Sequence, residues 1–337
     1  MKAMVLAAGL GLRMRPLTLL RAKPVLPVLN RPLLEWTMEN LARAGVRDVV
    51  VNLHHLPETV QAAVGSGRRF GLRVRYSHES TILGTGGWPR AVREVFGDEP
   101  LLLVNGDVLF DLDLRRLLAV HGASGARATL ALRANPVPYA YSPVVSDRKG
   151  RILSIAGRPA AARGAVSMFA SVHVMDPALL DRLPEGASDS VLGLYIPLLA
   201  EGAHLHGLPS RGAWYDFGRP SLYRDAQLRL LPGRGRDRVL VDGKARVGAT
   251  ARLRRSVVGA GARIAGGARV ERSVLWDGAV VEAGARVSGA IVVTGAVVRS
   301  GEKAEGVIVL PAEALAAQAE AGGRVERRGD MVWVELR

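Results

Sequence analysis

Residues 6–18 read LAAGLGLRMRPLT, and Lys23, Pro24 and Pro27 follow close behind. Met1, Met4, Val5 and Leu6 have the character of a short buried strand. The chain then runs through small residues and two glycines, Gly9 and Gly11, before Arg13 and Arg15. That layout suits a backbone cradle for phosphate. Glycines turn tightly and bring N–H groups against an anion with no side chain in the way, and Arg13, Arg15 and Lys23 supply positive charge. Two familiar phosphate loops do not fit. A dinucleotide fold needs a third glycine where Met14 stands, and a P-loop needs Lys-Ser or Lys-Thr where Leu12 and Arg13 stand. Judged on glycine spacing alone, a plain strand and turn stays as open a reading as a phosphate cradle.

The longer string is more specific. LAAGLGLRMRPLT followed by AKPVLPVLNRPLLEW resembles the opening of the sugar-1-phosphate nucleotidyltransferases, the nucleotide-sugar pyrophosphorylases. The resemblance continues at intervals to about residue 227. It implies a Rossmann-like mixed-sheet α/β domain whose loop, at Leu6, Ala7, Ala8, Gly9, Gly11, Arg13 and Lys23, holds a nucleoside triphosphate. It also implies that Arg13 assists departure of pyrophosphate and that Lys23 contacts phosphate.

A length of 337 residues with 48% hydrophobic content allows one large core or two domains. No apolar run approaches the ~18 residues that span a bilayer, and the N-terminus has no signal-like pattern, so a cytoplasmic location is expected. The absence of cysteine excludes disulfides, thiolate metal sites and a thiol nucleophile. The net charge of +15 raises a nucleic-acid reading. Against it, the five Trp, six Tyr and five Phe do not interleave with clustered lysines as a stacking platform requires. The excess is arginine dispersed among alanine and glycine, the pattern of solvated faces.

Past Pro32, Leu33, Leu34, Trp36, Thr37, Leu41 and Ala44 recur at helical spacing up to Gly45, and residues 46–53 read as a buried strand. His54 and His55 are adjacent, point different ways and have no spaced carboxylate partner, so a loop is expected rather than a metal site. After a strand at residues 73–76 comes SHESTILGTGGWPR, residues 77–90. Gly84, Thr85, Gly86 and Gly87 are expected to form a second open backbone surface against a flat base or sugar. In the family, E-x-x-x-L-G-T-[AG]-G lies beside the nucleobase, which implies nucleotide contacts for Glu79, Gly84 and Thr85. Trp88 departs from the small residue usual there, and either reshapes the pocket or packs beneath it.

PLLLVNGDVLFDLD, residues 100–113, is a continuous apolar run ending in Asn105, Gly106 and Asp107. A carboxylate at the C-terminal end of a buried parallel strand faces the crevice where α/β folds hold ligands. The family's N-G-D makes Asn105 and Asp107 nucleotide contacts and Asp107 a catalytic Mg²⁺ ligand. Asp111 and Asp113 are expected to begin the next helix.

Residues 128–220 are expected to be the sugar-binding half. YSPVVSDRKGRI, residues 141–152, resembles the family's Y-G-V-V-x-x-D-x-x-G-R-I, with Ser142 and Pro143 near its usual glycine. The family's E-K-P appears as Gly157, Arg158 and Pro159: Arg158 can hold a sugar phosphate in a fork geometry, while the glutamate's role is vacant. MFASVHVMDP resembles F-x-G-x-x-[LIV]-x-x-P with Ser171 at the glycine, and His173 reads as a strand residue rather than a base. WYDFGRP, residues 214–220, matches W-x-D-[IV]-G-[TR]-P, which implies that Asp216 is the second metal ligand, beside the sugar phosphate.

Beyond Pro232 the chain turns to Gly, Ala, Val and Arg, and Val257, Val274, Ile291 and Ile308 recur every 17 residues. Six-residue steps such as Ile264 to Val270 and Val281 to Val287 describe a triangular coil with aliphatics inward and Gly or Ala at the corners. This resembles the left-handed parallel β-helix of hexapeptide-repeat proteins. Acyltransferases of that type use a histidine base, and no histidine follows His206, so a structural, homo-oligomerising coil is expected. A helix over 311–321 and a strand over 330–336 are expected to finish the chain, the strand capping the coil's edge.

The expected organisation is a nucleotidyltransferase domain, 1–232, and a β-helix domain, 233–337, with coils about 240–310. The expected reaction is Mg²⁺-dependent attack of a sugar 1-phosphate on a nucleoside triphosphate. The Ser-His-Glu run before Leu-Gly-Thr leans toward a GDP-mannose-type enzyme, with thymidylyl or uridylyl transfer, or a non-catalytic nucleotide-sugar-binding paralogue, as alternatives. No nucleic-acid or membrane partner is expected.

Overall fold

The computed structural model describes all residues except 89–91, 136–140, 161–162, 234, 236 and 316–321. Its residues gather into two compact units: residues 1–9 with 34–215, and residues 10–33 with 216–337.

The first unit is built on a mixed sheet. Its strands run in the spatial order Ile152–Ile155, Pro143–Ser146, Ala165–Met175, Leu101–Asn105, Lys2–Leu6, Asp48–Leu53 and Arg73–His78, and Ala128–Arg133 and Leu205–Pro209 extend it from Ala165–Met175. Lys2–Leu6 pairs in parallel with Asp48–Leu53 on one side and Leu101–Asn105 on the other. The chain thus leaves the first strand one way and returns on its opposite side, which opens a crevice at the C-terminal ends of the two adjoining strands. Leu6 stands in register with Asn105 there. The interiors of both strands, residues 3–5 and 101–104, are buried apolar runs, as strands covered on both faces require. Met4, Leu101 and Leu103 are at most 1% exposed and share a core with Trp88, Leu130 and Met175. Helix Leu114–Ser124 starts at Asp113, whose carboxylate accepts the Arg116 N–H at 3.0 Å, so Asp113 is the cap expected of it.

Ser171 has φ +62, and the pairing of Ala165–Met175 with Ala128–Arg133 slips between Phe169 and His173. The bulge requires a left-handed residue, which accounts for glycine at this point in the related pattern and makes serine a strained substitute.

The second unit contains the coil. Strands of the coil stack in parallel on those 17 residues away: Val257 with Val274, Val274 with Ile291, and Ile291 with Ile308 on one side. Ile264 pairs with Val281 on the second side and Val270 with Val287 on the third. Val239–Val241 is the first rung, one period before Val257, pairing Leu240 with Val257. Each inward aliphatic buried this way is worth roughly 1.5–3 kcal/mol, so the repeat closes without a conventional core. Two of the three corners carry glycine at positive φ, such as Gly261 and Gly278, and Gly267 and Gly284. The third corrects the expectation of small residues: Arg255 and Arg272 hold φ +46 and +47 where later coils have Gly289 and Gly306. Beside that corner Ser256 and Ser273 form a buried ladder, the Ser256 Oγ accepting Ser273 N–H at 3.2 Å and the Ser273 Oγ accepting Ala290 N–H at 3.1 Å.

At the end, Pro311 closes a strand, Ala312–Ala314 is a single 3-10 turn and Leu315 lies beyond it, so no helix begins where one was expected, and residues 316–321 of that expectation lie outside the described residues. Strand Met331–Glu335 pairs antiparallel with Val307–Pro311 on the last coil, and Val325–Arg328 pairs with it in turn. The final parallel edge is thereby covered.

Candidate active site

In the first unit, the turn after Lys2–Leu6 is held from inside. The Ala7 N–H donates to Asn52 Oδ1 at 2.6 Å, Asn52 Nδ2 donates to Glu79 Oε1 at 2.7 Å, and the Leu83 N–H donates to Glu79 Oε2 at 3.0 Å. Asn52 is 1% exposed and Glu79 7%. Both Glu79 oxygens are therefore taken by protein donors, and its observed part is to brace the first loop against the second. Asn52 is the residue the sequence reading passed over. A lone amide inside the apolar strand DVVVNL is the signal that could have found it, since a buried amide must be satisfied by something. His54 Nδ1 lies 2.8 Å from the Glu79 carbonyl, which gives that histidine a loop role.

Ala7 and Ala8 are buried, Gly9 is exposed, and a Cβ placed on Gly9 would meet nothing within 4 Å. The first loop thus keeps open space where a phosphate cradle needs it. The second loop does not. A Cβ on Gly84 would lie 2.4 Å from the Ser188 carbonyl oxygen, one on Gly86 2.6 Å from Ser188 Oγ, and one on Gly87 2.0 Å from the Gly186 carbonyl oxygen. Gly86 N–H donates to Ser188 O at 2.9 Å and Ser188 N–H to Leu83 O at 3.0 Å. These glycines are required by close packing of one side of the loop against residues 186–190, while Gly84 itself stays exposed. Thr85 Oγ1 accepts the Ser190 N–H at 2.9 Å. Trp88 packs beneath: it is 1% exposed, edge-on to Phe96 at 5.8 Å, with its indole N–H on Thr85 O at 3.0 Å.

Asn105 and Asp107 are half-buried at the end of Leu101–Asn105. Between them Gly106 donates its N–H to Leu6 O at 2.8 Å, and a Cβ there would come 3.0 Å from the same oxygen. The two loops at the crevice are stitched backbone to backbone.

In the second unit Gly11 has φ +61, and an added Cβ would fall 2.7 Å from Thr18 Cγ2 and 3.3 Å from Lys23 Cβ. The glycine lets the loop fold onto Thr18, whose hydroxyl donates to Gly11 O at 3.0 Å, and onto Lys23. Lys23 is 7% exposed, and its Nζ lies 3.4 Å from Asp216 Oδ1. Arg13 is exposed. A Cβ on Gly218 would sit 3.3 Å from Asp216 Oδ2 and 3.6 Å from an Arg13 Nη, so both side chains border the space that this glycine leaves open. Arg13, Lys23 and Asp216 are thus brought together from the two ends of the expected catalytic domain.

Arg158 is exposed on a turn in which its N–H donates to Ile155 O at 3.0 Å. His173 is buried among Phe169 and Tyr195 rings at 5.3 and 5.5 Å, and desolvation lowers its pKa to about 3. Among the described residues no three His, Cys, Asp or Glu side chains gather as a metal cage, and no helix is long and apolar enough to cross a membrane.

Residues 2–232 match the nucleotidyl transferase family, and residues 237–321 match the GlmU-like C-terminal hexapeptide family. The chain belongs to the nucleotidyl transferase family. Its relatives in this family include a UTP–glucose-1-phosphate uridylyltransferase of Synechocystis, 32% identical over 67% of this chain and 62% of that protein. The mannose-1-phosphate guanylyltransferase catalytic subunit beta of Danio rerio is 32% identical over 74% of this chain and 73% of its own. The mannose-1-phosphate guanylyltransferase of Mycobacterium tuberculosis is 32% identical over 68% and 65%. The chain spans about three-fifths of the length of the Synechocystis relative. In this nucleotidyl transferase, then, the mixed sheet and the repeat coil expected from the sequence are both present.

Proposed function

We propose that the chain transfers a nucleotidyl group from a nucleoside triphosphate to a sugar 1-phosphate, giving a nucleotide-sugar and pyrophosphate, with GTP and mannose 1-phosphate as substrates. The observation that carries this is the convergence of Arg13, Lys23 and Asp216, with Lys23 Nζ 3.4 Å from the carboxylate. Both reactants are anions, so the work of the protein is positioning and charge neutralisation. The open backbone at Gly9 receives the triphosphate, Lys23 meets phosphate oxygens as a point charge, and Arg13 stabilises the departing pyrophosphate. Asn52 and Glu79 hold the Ala7 amide in place, so Glu79 acts on the nucleotide through the loop. Asn105 and Thr85 line the nucleotide side, and Arg158 binds the sugar phosphate.

Mg²⁺ is proposed at Asp107 and Asp216. Their donors fit it: hard carboxylate oxygens, half-buried, in too small a number to replace its shell of water and phosphate oxygens. When bound, the ion supplies neutralisation of phosphate charge. Residues 1–232 are proposed as the catalytic domain and 233–337 as the coil, through which the cytoplasmic protein self-associates.

The test is pyrophosphate release by the full chain across GTP, UTP and dTTP with mannose and glucose 1-phosphates. Fastest release with GTP and mannose 1-phosphate is expected. Release with no pair favours the second reading, a non-catalytic nucleotide-sugar-binding protein, which Gly157 at the usual glutamate position supports.

A further inference from the structure

Residues 10–33, which carry Arg13 and Lys23, gather with the coil rather than with the sheet that carries Gly9. The fastening is specific. Arg21 Nη2 donates to Asp277 Oδ1 and Oδ2 at 2.6 and 2.8 Å and to Thr294 Oγ1 at 2.8 Å. Its guanidinium carbon lies 5.1 Å from the Trp276 ring centroid. Asp277 and Thr294 are 17 residues apart, two positions past Leu275 and Val292, which pair in register. They occupy the same place on successive coils, and Arg21 bridges the two rungs.

The other side of Lys23 is fastened as well. Trp276, 1% exposed, donates its indole N–H to the Tyr223 hydroxyl at 3.1 Å, and that hydroxyl donates to the Pro27 carbonyl. Leu29 N–H donates to Gln227 Oε1 at 3.0 Å, and Asn30 Nδ2 donates to Val258 O at 2.8 Å. Leu29 and Asn30 have φ +51 and +65, the two left-handed positions of a tight hairpin turn. Between the anchors, Lys23 starts a 3-10 turn closed by Val25 N–H on Ala22 O at 2.9 Å and Leu26 N–H on Lys23 O at 3.2 Å.

We propose that the coil is part of the positioning machinery of nucleotidyl transfer: Asp277 and Thr294, through Arg21, set the placement of Lys23 against the phosphates. Arg21, Asp277 and Thr294 are positioning residues, since none needs to touch a reacting atom. This goes beyond the coil as an assembly element and rests on the nucleotidyl-transfer reading for its kinetic part. A partly exposed ion pair adds little to stability, whereas a displacement of about 1 Å in a positioned group costs on the order of 10²-fold in rate. The two possible roles of the pair therefore separate experimentally.

The test uses the full-length chain and the variants Asp277→Asn, Arg21→Gln and the double variant. Each is measured for kcat and KM by pyrophosphate release, for Tm, and for hydrogen exchange of the amides of residues 20–26. The expected result for Asp277→Asn is a fall in kcat of about tenfold or more, Tm within about 4 °C of the parent, and faster exchange confined to residues 20–26. The double variant should be no slower than Arg21→Gln alone, because one interaction is removed in either case. Parental kcat in Asp277→Asn overturns the proposal, whether or not exchange quickens, since the fastening would then be structural only. Additive losses in the double variant also overturn it. If the parent releases no pyrophosphate with any substrate pair, the nucleotidyl-transfer reading has failed, and unchanged exchange of residues 20–26 in Asp277→Asn then overturns the fastening independently.

Discussion

Lys23 Nζ lies 3.4 Å from Asp216 Oδ1, joining residues 193 apart in the chain, with side chains only 9% and 18% exposed. A buried cation beside a carboxylate is an arrangement that stability alone does not require, since a nonpolar pair of similar volume would serve as well.

Asp216→Asn keeps the size of the side chain and removes its charge. We expect kcat to fall by about 10²-fold or more, with a folded protein of unchanged far-UV circular dichroism. Asp107→Asn should behave the same way. Turnover near that of the parent in either variant would remove that residue from the proposed metal site.

The bracing role of Asn52 predicts a different signature. Asn52→Leu leaves the Ala7 N–H without its acceptor and one Glu79 oxygen without its donor, at a cost of about 1–3 kcal/mol for each buried group. Tm should drop and the KM for nucleotide should rise, while the KM for sugar phosphate changes less. A variant with parental Tm would show that water satisfies the site.

Gly87→Ala and Gly9→Ala should separate packing from ligand approach. The first places a Cβ 2.0 Å from the Gly186 carbonyl oxygen, and the second meets nothing within 4 Å. Overpacking of this kind costs about 1–3 kcal/mol, so Gly87→Ala should lower Tm by several degrees. Gly9→Ala should leave Tm unchanged and weaken triphosphate binding, a contrast that differential scanning calorimetry and nucleotide titration measure directly.

His173 gives a pH dependence of known sign. Burial lowers its pKa to about 3, against about 6.5 in an unfolded chain. Between these values the unfolded state binds the extra proton, so stability falls as pH drops below about 6.5, by about 1.4 kcal/mol per pH unit for this group. His173→Phe should flatten the loss of Tm between pH 6.5 and 5. An equally steep loss in that variant would assign the effect to other groups, with His121, also lowered by desolvation, the next to replace.

What the sequence determined by itself is periodic or local. The 17-residue recurrence of Val257, Val274, Ile291 and Ile308 is the pairing register of the coil, because a repeating burial pattern admits one stacking only. The apolar run before Asn105 and Asp107 became an inner strand for the same reason, and Asp113 capped the helix that follows it. The tertiary structure decided what depends on partners distant in the chain. Gly84, Gly86 and Gly87 announce close approach, yet only folding shows that residues 186–190 are a backbone that approaches them. A carboxylate such as Glu79 reads alike whether it meets a nucleotide or Asn52 and an amide. Arg21 and Asp277, 256 residues apart, carry no local pattern that would pair them. Hydrogen bonds and close packing are short-ranged in space and indifferent to separation along the chain, so the coil's hold on the Lys23 loop exists only once both are folded.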